Sequence, residues 1–190
     1  AAASFGAPVV TVVGDVVSLR EKLRWFDNRP LFGKRVLVTR SRSQASALSR
    51  LLVQEGAEPI ELPAIDIQLI ENNRELDKAI KSLKGYDWLI FTSANAVSAF
   101  WEGINKRKLD SRAFSGVKIL AIGPATAQAL EAKGIVPDLI PEPHTDEGIV
   151  KALKRRKSAG QFILLPRADI ADEGLVEGIS KLGAIVNEVA

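Results

Sequence analysis

Two short segments and two arginines carry most of the chemistry this sequence can offer. Thr92-Ser93-Ala94-Asn95 follows an apolar run and opens a helical pattern. Its hydroxyls, its amide and the free backbone N–H groups of a helix start form a cradle for an anion. Ser93 could equally be a plain helix N-cap, and the two roles are compatible. Gly123-Pro124-Ala125-Thr126 repeats the arrangement after the next apolar run. Proline suits the first helical position, the glycine allows a ligand to approach the backbone, and Thr126 adds a hydroxyl. A bulky residue at 123 is expected to block that approach and to demand a disallowed φ. Arg40 and Arg167 each end a strand-like run. Either could grip a carboxylate through two parallel hydrogen bonds, or serve only in a surface ion pair. His144 lies between Pro143 and Thr145 with no paired nucleophile, and reads as an exposed loop residue rather than a general base.

What is missing narrows the chemistry further. The chain has no Cys, which excludes a disulfide, a thiolate ligand and a cysteine nucleophile. A single His excludes a multi-histidine cage, so no metal is expected. Neither G-x-x-x-x-G-K-[ST] nor G-x-G-x-x-G occurs, and nucleotide binding has no support. With 46% hydrophobic and 26% charged residues the composition is that of a folded globular chain. No apolar run approaches the roughly 18 residues of a membrane span, so no membrane is expected as a partner. No Met is present either, and the Ala1-Ala2-Ala3 start reads as an artificial edge or stand-in residues.

The net charge of +3 is distributed unevenly. Residues 20–42 hold eight bases (Arg20, Lys22, Arg24, Arg29, Lys34, Arg35, Arg40, Arg42) against Glu21 and Asp27. Such a run is a solvated linker or a site for an anionic ligand. No aromatic interleaving and no recognition motif accompany it, so no nucleic acid is expected. Lys106-Arg107-Lys108 and Lys154-Arg155-Arg156-Lys157 fit better as cations at helix C-termini.

The elements that must position these groups alternate from Lys34 onward. Strands are expected at 36–38, 60–62, 87–91, 117–122, 162–165 and 185–189. Helices are expected at 44–55 and 74–84, from Ser93, from Pro124, from a Thr145 cap with Asp146 and Glu147 in its first turn, and at 171–182. Strand–helix alternation of this kind means an α/β fold with parallel sheet covered by helices. In such sheets ligands bind outside the carboxyl ends of the strands, where the segments named above fall. The first 33 residues do not join the alternation. Residues 9–17 are strand-like, 19–26 helical and charged, and Asn28-Arg29-Pro30 turn-like, as in the tail of a preceding domain plus a linker.

Sliding the sequence by 127 positions lays Val36-Leu37-Val38-Thr39-Arg40 on Ile163-Leu164-Leu165-Pro166-Arg167. Gly56-Ala57 then falls on Gly183-Ala184 and Glu61 on Glu188, without a gap. Each copy is strand, arginine, helix, glycine, strand, and the equal spacing favours duplication. A different unit, 86–140, lies between the copies. The order is A-B-A, whose natural completion is a second B after Ala190.

Three segments together resemble uroporphyrinogen-III synthase: Lys34-Arg35-Val36-Leu37-Val38-Thr39-Arg40, Asp87-Trp88-Leu89-Ile90-Phe91-Thr92-Ser93-Ala94-Asn95-Ala96-Val97, and Ala121-Ile122-Gly123-Pro124-Ala125-Thr126 followed by Leu130 and Gly134. Residues 7–17 and Leu19-Arg20-Glu21 resemble the end of uroporphyrinogen-III C-methyltransferase, so the sequence looks like the junction of a methyltransferase–synthase fusion. The resemblance implies two α/β lobes of parallel sheet joined by a two-stranded connector. Residues 1–33 would be methyltransferase tail and linker, 34–67 the first part of lobe 1 plus the connector, and 68–190 lobe 2. It implies cyclisation of hydroxymethylbilane, with loss of water and inversion of ring D, in the cytoplasm and without metal or organic cofactor. It makes Arg40, Thr92, Ser93, Asn95, Gly123, Thr126 and Arg167 the substrate-binding residues. The tyrosine to which proton donation is assigned in this family follows the strand matching 185–189, outside these 190 residues, which puts this fragment's own activity in question. A small-anion-binding α/β module without catalysis is the other reading the residues allow.

Overall fold

The computed structural model describes residues 10–40, 42–64, 66–68, 70, 72–168 and 173–190. Two compact units divide the chain, Ala1–Gln68 and Leu69–Ala190.

In the first unit a 3-10 helix, Asp15–Leu19, leads into the short helix α1 (Arg20–Leu23). Strand β1 (Arg35–Val38), helix α2 (Arg42–Gln54) and strand β2 (Glu58–Glu61) follow. The two strands pair in parallel, Arg35 opposite Glu58 and Val38 opposite Glu61. Gly56 closes the return from α2 at φ +89°, a left-handed conformation that a β-carbon disfavours. Ala57, next to this turn, and Val38, at the carboxyl end of β1, are buried. The strand expected over 9–17 does not form within its described part. Residues 10–13 have no regular structure and Val10, Val12 and Val13 are exposed. A strand needs a partner edge to satisfy its backbone, and none of the described strands offers one to this run. The helix expected over 19–26 is likewise confined to α1. Arg29 instead stacks its guanidinium over Trp25 and Phe26, at 4.8 and 4.5 Å from the ring centroids.

The second unit is a four-stranded parallel sheet in the order β4-β3-β5-β6. Its strands are β3 (Trp88–Phe91), β4 (Lys118–Ala121), β5 (Phe162–Pro166) and β6 (Ile185–Val189). Period-two alternation sends their side chains into two cores. Leu89 and Phe91 join Ile80, Phe100 and Leu130 on one face. Trp88 and Ile90 join Ile149, Leu153 and Ile179 on the other. The first face is covered by α3 (Arg74–Lys81), α4 (Ala94–Lys106) and α5 (Pro124–Glu131). The second is covered by α6 (Asp146–Arg155) and α7 (Gly174–Ser180). Glycines set the closest helix contacts. A β-carbon on Gly103 would stand 2.6 Å from Ile80 Cδ1, and one on Gly178 would stand 2.8 Å from Val150 Cγ2.

Two helices are shorter than their hydrophobic pattern implies. The pattern over 74–84 ends at Lys81, because Leu83–Gly85 tightens into a 3-10 turn before β3. That over 171–182 is α7, Gly174–Ser180, and residues 171 and 172 of the expected helix lie outside the described ones.

The 127-residue shift extends to strand pairing. It carries Arg35 opposite Glu58 onto Phe162 opposite Ile185, and Val38 opposite Glu61 onto Leu165 opposite Glu188. The glycine turns also correspond. Gly56 N–H donates to Val53 O at 3.0 Å and Gly183 N–H to Ser180 O at 2.9 Å, with φ of +89° and +82°.

Candidate functional site

All four strands of the larger sheet run the same way, so β3, β4 and β5 deliver their carboxyl ends to one edge. At the exit of β3, Ser93 is extended (φ −157°, ψ 155°), and its Oγ accepts from Ala96 N–H at 3.1 Å. It therefore is the N-cap of α4, and its own O–H stays available as a donor. Thr92, Ser93 and Asn95 are half-buried on this turn.

The exit of β4 lies alongside. Phe91 pairs with Ala121, and Ile122 N–H donates to Phe91 O at 3.0 Å, which places the turn at 122–124 one strand spacing from the turn at 92–94. Gly123 caps α5 without a side-chain hydrogen bond, and Pro124 takes the first helical position. Here Gly123 departs from the conformation expected of it. Its φ of −165° is extended backbone open to any residue, so no disallowed conformation demands glycine. The space above it is what disfavours a side chain: a β-carbon would meet His144 Cβ and Cγ, each at 3.3 Å, and the ring would have to give slightly. Thr126, one turn further on, is buried at 4% exposure.

His144 reaches this edge by a non-local route. Asp138 Oδ2 accepts from Ile119 N–H at 2.7 Å, and Leu139 bridges to Leu120 in parallel, so the chain after α5 runs beside β4. It then turns over the edge, where His144 Nδ1 lies 2.8 Å from Pro141 O. Thr145 caps α6 by accepting from Gly148 N–H at 3.2 Å. A β-carbon on Gly148 would stand 1.9 Å from Pro143 O, so only glycine lets this turn sit on α6. His144 is exposed, as the sequence suggested, but its place against Gly123 was not visible there.

At the exit of β5, Arg167 is 7% exposed, and its Nε lies 3.0 Å from Glu188 Oε1 on β6. Its backbone N–H donates to Val189 O at 2.9 Å. This arginine pairs with a half-exposed carboxylate of its own sheet, and it is buried, where the ion-pair alternative left open by the sequence was a surface one. Arg40 belongs to the first unit, where it is exposed beyond β1. The larger unit thus brings Thr92, Ser93, Asn95, Gly123, Thr126 and Arg167 to one edge, and Arg40 stands outside that grouping.

The electrostatics of the edge are those of helix starts. α4, α5 and α6 all begin there, each with first-turn N–H groups directed outward. Glu147 is held below its ordinary carboxylate value, first by the Thr145 hydroxyl and second by its own backbone N–H. Among the described residues no three His, Cys, Asp or Glu side chains cluster as metal ligands. Nor is any helix among them long and apolar enough to cross a membrane. A cavity of about 410 Å³ lined by Ile80, Lys84, Leu109 and Arg112 lies where β3 and β4 begin, at the opposite edge, and is not part of this grouping.

Comparison with known proteins follows the same outline. The family model described as uroporphyrinogen-III synthase HemD matches residues 46–190. A protein of Ruminiclostridium josui named porphyrin biosynthesis protein HemD is 35% identical over 170 residues, covering 90% of this chain and 34% of its own length. The uroporphyrinogen-III synthase of Synechococcus elongatus is 35% identical over 164 residues, covering 85% and 61%. Among solved structures, a uroporphyrinogen III synthase of Thermus thermophilus superposes with a TM-score of 0.64 at 20% identity, over 83% of this chain and 61% of that one. The likeness at that identity is one of fold. The chain spans about a third of the first of these relatives and about three fifths of the second.

Proposed function

This chain belongs to the uroporphyrinogen-III synthase HemD family, and we propose that it is part of an enzyme that cyclises hydroxymethylbilane to uroporphyrinogen III. One observation carries the reading: two helix starts, Ser93-capped α4 and glycine-capped α5, stand side by side at the carboxyl edge of a parallel sheet. The substrate is a linear tetrapyrrole with eight carboxylates. Backbone N–H groups at adjacent helix N-termini suit such anions, and hydroxyls at Thr92 and Ser93 add donors. The hydroxyl of the hydroxymethyl-pyrrole, protonated by a modest acid as it leaves, departs as water and leaves a pyrrole-stabilised cation. Ring closure through a spiro intermediate, with inversion of ring D, then depends on holding both ends of the chain in the productive geometry.

In this reading Thr92, Ser93, Asn95, Gly123, Thr126 and Arg167 are the substrate-binding residues of lobe 2, and Arg40 is a substrate-binding residue of lobe 1. Buried Thr126 acts by supporting the first turn of α5 and offering its backbone N–H. Arg167 orders the edge through Glu188 and takes a substrate carboxylate only by exchanging partners. Residues 34–67 belong to lobe 1 with its connector, and 68–190 to lobe 2. The break between Gln68 and Leu69 supports that division. Residues 1–33 end a preceding C-methyltransferase, a reading supported by the residues from 7 to 21 quoted above. The enzyme works in the cytoplasm, where its water-soluble substrate is made, and uses no metal or organic cofactor.

The test is cyclisation by the full-length parent protein, scored as the ratio of isomer III to the isomer I that forms spontaneously. Isomer III in excess supports the proposal. An octacarboxylate porphyrin that stabilises the protein thermally while only isomer I accumulates would overturn catalysis and leave an anion-binding module.

A further inference from the structure

We propose that His144 presents its Nε2 lone pair to a pyrrole N–H of the bound tetrapyrrole, an acceptor in a site whose other groups are mainly donors. The inference rests on the reading of this edge as a tetrapyrrole cleft. Pro141 O can only accept a hydrogen bond, so the ring nitrogen 2.8 Å from it, Nδ1, carries the proton. In the neutral ring the other nitrogen, Nε2, is then a bare acceptor. Packing directs it. Cδ2, the ring carbon bonded to Nε2, lies 3.7 Å from where a β-carbon on Gly123 would stand, and Cβ and Cγ lie at 3.3 Å. Nδ1 therefore faces its own loop, and the Cβ–Cγ–Cδ2 side of the exposed ring lies against Gly123 at the start of α5.

The glycine at 123 has a reason in this arrangement. Its φ of −165° imposes nothing, but a β-carbon there would press on the imidazole at 3.3 Å and shift it by a few tenths of an ångström. The loop holding the ring is fixed in turn, since Gly148 admits Pro143 O where no β-carbon fits. A tetrapyrrole brings two kinds of polar group, carboxylates that need donors and pyrrole N–H groups that need acceptors. Helix starts at Ser93 and Gly123 meet the first need. Ser93 Oγ already accepts from Ala96 N–H, and His144 Nε2 adds an acceptor to those of Thr92 and Asn95 for the second.

The single histidine of these 190 residues makes the test direct, because its imidazole nitrogens give one assignable pair of ¹⁵N resonances. At a pH above the ordinary imidazole range, the unliganded protein should show the Nδ1–H tautomer, the less common form in free histidine. Titration with a pyrrole bearing acetate and propionate should shift Nε2 as an acceptor, and its N-methyl analogue should not. His144→Phe keeps a ring over Gly123 and should weaken the N–H pyrrole about 3- to 10-fold while leaving the N-methyl analogue unchanged. His144→Gln, which restores an acceptor, should recover part of the loss. An Nε2–H tautomer, or equal weakening of both probes by His144→Phe, overturns the inference. So does a shift confined to the amides of Ser93 and Ala125, which would leave the tetrapyrrole reading standing. If neither probe moves any resonance at this edge, the inference and that reading fall together.

Discussion

Arg167 Nε lies 3.0 Å from Glu188 Oε1, joining the exit of β5 to β6 in the larger sheet. The repeat puts Arg40 and Glu61 in the same relation of sequence, yet the pair does not form. Glu61 instead accepts a hydrogen bond from Ser49 Oγ, and Arg40 is exposed. Equal strand registers thus coexist with different uses of the same two residues. The difference lies in burial: the Arg167 side chain is 4% exposed and must be partnered, whereas an exposed guanidinium is satisfied by water.

That contrast sets the first prediction. Glu188→Gln should lower the unfolding free energy by about 1 kcal/mol, since it removes the charge opposite a buried guanidinium and the glutamate itself is 42% exposed. Arg40→Gln should change stability by less than about 0.5 kcal/mol. Urea denaturation of both variants measures the difference, and equal effects would show that burial does not decide which copy forms the pair.

Much of the fold was legible because punctuation and period agree. Ser93 and Thr145 are caps where their sequence places them, Pro124 opens α5, and Gly56 and Gly183 close the returns from the helices of the two repeats at positive φ. The run over 9–17 misled because valine content signals strand propensity but supplies no partner. The site was legible as loops and not as contacts. Thr126 had the right chemistry but is turned inward, a matter of helix phase that four residues of motif do not reveal. His144 reaches Gly123 only because Asp138 and Leu139 attach to β4, and pairings between distant segments leave no local pattern. The Arg167 partner was within reach, since arginine and glutamate end neighbouring strands in each copy of the repeat. Only burial, which the sequence does not display, separates the copy that pairs from the copy that does not.

Gly148 offers a second prediction. Gly148→Ala places a methyl 1.9 Å from Pro143 O, backbone that cannot swing aside as a side chain could. The turn carrying His144 should lift from α6, at a cost of about 1–3 kcal/mol in stability. Gly103→Ala differs, because Ile80 Cδ1 at 2.6 Å is the end of a flexible side chain and can move. Thermal melts of the two variants, with amide shifts of residues 141–147, should show loop displacement only for Gly148→Ala.

A third prediction concerns acid. Thr145 donates its hydroxyl to Glu147 while accepting from Gly148 N–H, and Glu147 is thereby held below its ordinary value. A carboxylate lowered in the folded state contributes stability that is present above its unfolded value and lost as pH falls through the folded one. Glu147 should therefore titrate below an ordinary glutamate in a ¹³C carboxyl titration. Thr145→Val removes the hydroxyl and should move that midpoint upward. An unchanged midpoint would assign the shift to the helix start alone.

The last prediction separates the two roles of Ser93. As a cap it accepts from Ala96 N–H, and Ser93→Ala should cost about 1 kcal/mol of stability through that loss. Aspartate caps a helix about as well as serine, so Ser93→Asp should leave stability within about 0.5 kcal/mol of the parent. Its charge, however, would stand at the edge where a polycarboxylate is proposed to bind. One negative charge about 4 Å from another, at a partly solvated site, opposes binding by a few kcal/mol at most. Affinity for uroporphyrin, measured by fluorescence quenching, should accordingly fall at least about tenfold in Ser93→Asp, and by less in Ser93→Ala, where neighbouring backbone donors remain. The salt dependence should flatten in the aspartate variant, because the added repulsion offsets part of the net attraction that salt screens. Should Ser93→Asp bind uroporphyrin as the parent does, the start of α4 is a structural cap only, and the anion site must be sought at α5 and Arg167.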